Sequence, residues 1–143
     1  MIRTLTATDV DRVPEIWLDT NIRAHHFISD RYWKEHFPSV KSMFAQAELY
    51  VYEDQDGIEG FIGLDGDYIA GLFIWSASQS RGIGRQLLSF VKCLHPRLRL
   101  HVYVQNQRAI RFYQREGFSI ETESLDTTTG EKEYAMLWTK EQP

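Results

Sequence analysis

Between Gln79 and Gly84 the chain reads Gln-Ser-Arg-Gly-Ile-Gly, a run whose residue types suit the binding of an anion. Gly82 and Gly84 let the backbone curl so that successive N–H groups meet in one concavity. An amphipathic helix beginning near Ile83 would add its dipole at the same point. Phosphate fits that geometry. The run is no Walker loop, since no Gly-Lys-Ser/Thr follows, and a poor dinucleotide fingerprint, since it lacks a third glycine and the acidic residue about twenty positions on. The competing reading is a tight turn that needs glycine only for its shape. Charge favours the anion: Gln79 to Arg115 holds eight basic residues (Arg81, Arg85, Lys92, Arg97, Arg99, Arg108, Arg111, Arg115) and no Asp or Glu, so with a net charge of −4 the rest of the chain carries −12. Conversely, Glu48 to Asp67 contains seven acidic residues and no Lys or Arg. That zone could face a cationic substrate, the alternative being solvated loop and edge charge.

Other reactive side chains are fewer. His25 and His26 can titrate near neutrality and could transfer protons, although a structural histidine is the commoner case. The five histidines, His25, His26, His36, His95 and His101, show no helical i,i+4 pair and no adjoining cysteine pair, so no metal site is expected. Cys93 is the single cysteine, which excludes an intramolecular disulfide. Beside Leu94 it reads as a small buried core residue rather than a nucleophile. Tyr32, Trp33 and Phe37 suit a core, while Tyr50, Tyr52, Tyr68 and Tyr103 could line an acceptor groove.

These residues need elements to position them. Ile2 to Leu5 reads as a strand, after which Thr8 and Asp11 resemble a capping box opening a helix that turns Val10, Val13 and Trp17 inward and ends near Thr20. Ser29 or Asp30 caps a second helix with Trp33, Phe37, Val40, Phe44 and Ala47 on one face, kinked or divided by Pro38. Leu49 to Tyr52 and Ile58 to Leu64 form a hairpin about a polar turn, and Tyr68 to Trp75 is a third antiparallel strand. The period then changes: Ile83, Leu87, Leu88, Val91 and Leu94 make a helical stripe stopped by Pro96. The alternating strand Leu98 to Val104 follows, parallel to the strand before the helix. A helix from Gln107 to Glu116, stopped by Gly117, precedes two strands, Phe118 to Leu125 and Glu133 to Thr139. The fold class is α/β with a mixed sheet. With 143 residues, 43% hydrophobic and 25% charged, one domain spanning 1–143 is expected. No apolar run has the length of a membrane span or a signal-peptide core, so no membrane partner and a cytoplasmic location are expected. The acidic net charge argues against nucleic acid.

The Gln79, Gly82 and Gly84 spacing, together with Asn106-Gln107-Arg108-Ala109-Ile110-Arg111-Phe112-Tyr113 and then Gly117-Phe118, resembles the GNAT superfamily of N-acetyltransferases. The order of elements agrees with that family over almost the whole chain. The resemblance implies a mostly antiparallel sheet flanked by helices, with acetyl-CoA as co-substrate and no metal. It implies that the strand carrying Leu72, Phe73 and Ile74 splays from the next one and pairs with the pantetheine arm, that the diphosphate sits on Arg81, Gly82, Ile83, Gly84 and Arg85, and that Gln79 and Ser80 also bind the cofactor. Asn106 would hydrogen-bond the arm, and Tyr113 would protonate the departing thiolate. The acceptor implied is a primary amine: a protein lysine, a protein N-terminus or a small cationic molecule, attacked directly in a ternary complex. For a general base the nearest acids are Asp65 and Asp67, neither at a motif position; His25 and His26 are further candidates, since His25-His26-Phe27 resembles the His-x-Phe segment of one bacterial group of small GNAT proteins. A noncatalytic acyl-CoA binding or sensing module is the rival reading. Monomer and homodimer are both open, the last strand with Tyr134, Met136 and Trp138 on one face offering a pairing surface.

Overall fold

A computed structural model describes residues 1–140; the last three of the expected domain, 141–143, lie outside the described residues. In chain order the elements are β1 (Ile2–Thr4), α1 (Arg12–Ala24), α2 (Asp30–Phe44), β2 (Glu48–Asp54), β3 (Gly57–Asp65), β4 (Tyr68–Ile74), α3 (Ile83–Lys92), β5 (Arg97–Tyr103), α4 (Gln107–Arg115), β6 (Ser119–Asp126) and β7 (Glu131–Thr139). The seven strands form one sheet in the order β1-β2-β3-β4-β5-β7-β6. Every neighbouring pair is antiparallel except β4 and β5, which α3 joins as a crossover. The mixed, mostly antiparallel sheet with four helices is thus as expected.

Its centre is β3, buried on both faces from Ile58 to Leu64. Phe61 faces a cluster with Val13, Ile16 and Trp17 of α1 and Trp33 and Phe44 of α2. Ile62 and Leu64 face Ile83, Leu87, Leu88 and Val91 of α3, with Leu98 and Leu100 of β5. Each fully buried aliphatic side chain contributes about 2 kcal/mol, so the two faces fix which way every strand turns. Gly60 is required where β3 meets the end of β4: a Cβ there would stand 2.8 Å from Ile74 Cδ1 and 3.0 Å from the Phe73 carbonyl oxygen. Past that point the sheet opens. Between β4 and β5 only Tyr68 and Arg99 are in register, whereas β5 and β7 pair along seven residues.

Several local expectations shift. The capping interaction lies two residues earlier, where the Thr6 N–H and hydroxyl both donate to Asp9 Oδ2, at 2.8 and 2.9 Å. Arg3 selects it by donating to both oxygens of Asp9, at 2.7 and 3.1 Å. Helix α1 consequently starts at Arg12, leaves Val10 only half-buried and runs past Thr20 to Ala24. Helix α2 runs unbroken through Pro38, which lies on its exposed side where water can take the freed carbonyl; Ala47 falls beyond it and is exposed. Cys93 is exposed rather than buried, and Leu94 is 49% exposed. Helix α3 ends at Lys92 in a tightened last turn, with Cys93 N–H bonded to the Phe90 carbonyl and Leu94 N–H to that of Val91, and both side chains lie past the stripe that packs on the sheet. Strand β7 lies inside the sheet between β5 and β6, so neither of its edges is available to a second copy. The outer strand is β6, exposed from Ser119 to Leu125. Among the described residues no helix is long and apolar enough to cross a membrane.

The Arg3–Asp9 pair carries a measurable consequence. Arg3 holds the Asp9 carboxyl down to about 2. Because the folded value lies below the unfolded one, the stabilisation is complete above the ordinary aspartate range and disappears as pH falls through 4 towards 2. Asp9→Asn should cost about 2 kcal/mol at pH 7 and flatten the acid limb of stability, as read by urea unfolding at pH 7 and pH 3. An equal cost at both pH values would remove the charge explanation.

Candidate functional site

The glycine run follows β4 as a loop held from several sides. Beyond β4 comes a single 3₁₀ turn, Ser76–Ser78. The Ser78 hydroxyl donates to the buried Glu59 carboxylate, and Trp75 N–H donates to the Glu59 carbonyl at 2.8 Å. Gln79 Nε2 donates to the Ile74 carbonyl at 3.2 Å. From α4, Arg108 reaches across to Gln79 Oε1 at 3.1 Å and Ser80 Oγ at 3.3 Å. Ser80 and Gly82 both take left-handed backbone, φ 67° and 80°; a Cβ on Gly82 would meet nothing within 4 Å. The first helical bond of α3 runs from Gln86 N–H to the Gly82 carbonyl. The N–H groups of Ile83, Gly84 and Arg85 therefore have no helical acceptor, which makes this end a donor cluster.

The loop opens on a cleft of about 910 Å³ lined by Leu72, Phe73 and Ile74 of β4, by the end of α1 and by α4 with the residues before it. Of the residues expected to bind cofactor, Leu72, Phe73, Ile74, Gln79, Ser80, Gly82, Ile83, Gly84, Arg85 and Asn106 line it, as does Tyr113. Arg81 does not; it turns to Asp54, 3.4 Å away. Of the eight basic residues between Gln79 and Arg115, Arg85, Arg108 and Arg115 line the cleft and the other five do not; Arg23 joins them from α1, paired with Asp19 at 2.8 Å. Because Trp75 N–H bonds Glu59, the antiparallel alternation spends the peptide groups of Phe73 on β3 and turns those of Leu72 and Ile74 towards the gap.

Tyr113 is buried on α4, its ring 5.2 Å from Phe112 and 5.5 Å from Phe118. No described residue bonds its hydroxyl, and burial pushes its pKa well above the usual phenol range. Asn106 caps the same helix, its Oδ1 accepting from Ala109 N–H at 3.2 Å. Its Nδ2 lies 3.2 Å from His25 Nε2, and His25 Nδ1 lies 3.0 Å from Asn21 Oδ1.

The base candidates fare differently. Asp65 and Asp67 sit at the far end of β4, about 20 Å of strand away from Ile74. Asp67 is paired with Arg97 at 3.0 Å and Arg99 at 3.1 Å, which hold its pKa down. His26 is exposed, and His25 is desolvated down to about 4 with both ring nitrogens engaged. The acidic zone is not one open face either: Glu53 pairs with Arg3, Asp54 with Arg81, and Glu59 is buried beneath the loop. Asp54, Asp56 and Glu59 bring carboxylate oxygens within 4.8 Å of one another, two of them engaged as just described. Of the four tyrosines proposed for an acceptor groove, Tyr68 is bonded to His101 at the far end and Tyr50 stacks on Phe90. Tyr103 alone touches His25. The struts from Arg108, Glu59 and Asn21 were not foreseen, since each joins its partner only through the fold.

The model of the acetyltransferase (GNAT) domain matches residues 45–120. The peptidyl-lysine N-acetyltransferase YiaC of Escherichia coli (strain K12) is 34% identical over 140 residues, which cover 96% of this chain and 96% of that protein. Among solved structures, the apo form of YjaB from Escherichia coli superposes with a TM-score of 0.86 at 27% identity, covering 96% of each chain. The PaiA N-acetyltransferase of Thermoplasma acidophilum, solved in complex with coenzyme A, has the same fold, with a TM-score of 0.80 at 18% identity, covering 97% of this chain and 98% of that one.

Proposed function

The chain belongs to the GNAT acetyltransferase family, and on that premise we propose that it moves the acetyl group of acetyl-CoA to the side-chain amine of a protein lysine. The observation that carries this is the open gap between β4 and β5, bordered at one end by the glycine loop and lined by Tyr113. A pantetheine arm pairs with the peptide groups of Leu72 and with the Ile74 N–H like an added strand, the Ile74 carbonyl being held by Gln79, with Phe73 beside them. The diphosphate rests on the N–H groups of Ile83, Gly84 and Arg85, framed by Gln79, Ser80 and Gly82, while Arg81 contributes through the loop backbone. The second Nδ2 hydrogen of Asn106 goes to the arm.

Chemistry follows from that placement. The amine nitrogen attacks the thioester carbon, the carbonyl oxygen gains the electron pair near the Ile74 N–H, and collapse expels the thiolate. Tyr113 gives the thiolate its proton, a task suited to a phenol that burial keeps protonated. A lysine ammonium, with a pKa of about 10.4, first loses one proton to water, no described side chain being placed to take it, and the second proton, shed by the nitrogen as the amide forms, restores the Tyr113 phenol. No covalent enzyme intermediate forms, because Cys93 lies outside the cleft.

Two observations support a protein lysine over other amines. Relatives such as YiaC are named peptidyl-lysine acetyltransferases. The turn between β6 and β7 brings Asp126, which accepts from the Tyr103 hydroxyl at 2.8 Å, and Glu131, which accepts from the cleft residue Gln105 at 2.8 Å; both favour a cationic chain. On this reading the expected single domain acts in the cytoplasm on protein acceptors. Thiol release should be at least about tenfold faster with an N-terminally blocked lysine peptide than with a lysine-free peptide bearing a free N-terminus, or with spermidine. The opposite order would overturn the lysine assignment.

A further inference from the structure

We propose that His25 is a positioning residue for the cofactor arm: it accepts a hydrogen bond from Asn106 and so turns the remaining Nδ2 hydrogen of Asn106 into the cleft. This rests on the acetyl-CoA reading above and adds to it a residue that reaches the cofactor only through another. The bonds around the pair leave one consistent assignment. Asn21 Nδ2 donates to the Trp17 carbonyl at 2.8 Å, so Asn21 Oδ1 is the atom facing His25 and can only accept. His25 Nδ1 therefore carries the proton and donates to it at 3.0 Å. Nε2 is left as a lone pair, 3.2 Å from Asn106 Nδ2. Asn106 Oδ1 is already committed to Ala109 N–H, which fixes the amide plane. One amide hydrogen goes to His25 and one is free, and Asn106 lines the cleft.

The imidazole is locked for this purpose. It packs against Tyr103 at 5.0 Å, Trp33 at 5.5 Å and Phe27 at 5.6 Å. The only titratable side chain among these rings is Tyr103, whose hydroxyl is given to Asp126. A ring held neutral by such surroundings is a poor acid or base and a good strut. Through it the end of α1 bears on the N-cap of the helix that carries Tyr113 two turns on, so one bond sets both the arm's donor and the acid's helix.

Two measurements on the full chain test this. Nitrogen NMR of the His25 ring at pH 7 should show a neutral imidazole protonated at Nδ1; the Nε2–H tautomer or an imidazolium overturns the proposal. Calorimetric titration with coenzyme A should find His25→Phe, which keeps a ring and loses both bonds, about tenfold weaker than wild type. His25→Gln, whose Oε1 can still accept from Asn106, should stay within about threefold. Asn106→Ala should lose as much as His25→Phe, and the double variant no more than about twofold beyond Asn106→Ala alone. Additive losses, or His25→Phe binding like wild type, overturn the proposal. Should His25→Phe not fold, a tenfold loss in His25→Gln would overturn it equally. Wild-type protein that binds no coenzyme A would sink the acetyl-CoA reading itself, a result distinct from binding that ignores His25.

Discussion

Tyr113→Phe should lower kcat by about 100-fold to 1,000-fold and leave the affinity for acetyl-CoA close to wild type. The substitution removes one oxygen and nothing else: the ring keeps its contacts with Phe112 and Phe118. Because no described residue bonds the hydroxyl, its loss strands no buried partner, and stability should change by less than about 1 kcal/mol. The rate effect has a ceiling as well as a floor. A thiolate whose parent thiol has a pKa of about 8.5 can leave unassisted, so the variant retains slow turnover. In the wild type the pH profile should show no loss of a catalytic acid on the alkaline side until well above the ordinary phenol range, because burial raises the phenol pKa. Steady-state kinetics with a lysine peptide, and coenzyme A titration of the same variant, separate the two quantities. A variant with wild-type kcat would remove Tyr113 from the chemistry.

Gly82→Glu should abolish coenzyme A binding, by at least about 100-fold, for two separable reasons. At φ 80° any side chain costs about 1–2 kcal/mol of backbone strain, and glutamate also brings a negative charge to the donor cluster meant for the diphosphate. Gly82→Ala carries only the first cost, since the space around a Cβ there is open. In a thermal-shift titration with acetyl-CoA, wild type should be stabilised strongly, the alanine variant partly, and the glutamate variant not at all. A folded glutamate variant stabilised as much as wild type would mean that the loop is only a turn.

What was legible in the sequence is what short stretches of chain decide. The alternation through Leu98 to Val102 and the stripe Ile83, Leu87, Leu88 and Val91 gave β5 and α3 because burial acts at a fixed period on a single element. The loop and the Asn106 to Phe118 segment were legible for the same reason. Glycine φ values and a helix cap are decided within a few residues. The contacts that stiffen the site were not, because they join distant positions: His25 to Asn106 across 81 residues, Arg108 to Gln79 across 29, Ser78 to Glu59 across 19. Strand order is equally nonlocal, which is why β7 looked like a free surface and proved to be internal. The acidic zone misled through the same gap, since composition records its charges but not the guanidinium groups that Arg3, Arg81, Arg97 and Arg99 bring to them.

The outer edges of the sheet bear on how the protein behaves in a crowded solution. An open strand invites another chain to extend the ladder, the usual route to aggregation. β1 offers only Ile2–Thr4, too short a template to recruit a neighbour. β6 is long, but Glu121, Glu123 and Asp126 run along it, and two such edges brought together would set carboxylate against carboxylate. The β6–β7 hairpin can therefore leave its outer edge unpaired without inviting polymerisation, and the same charges that oppose a second copy would attract a basic polypeptide.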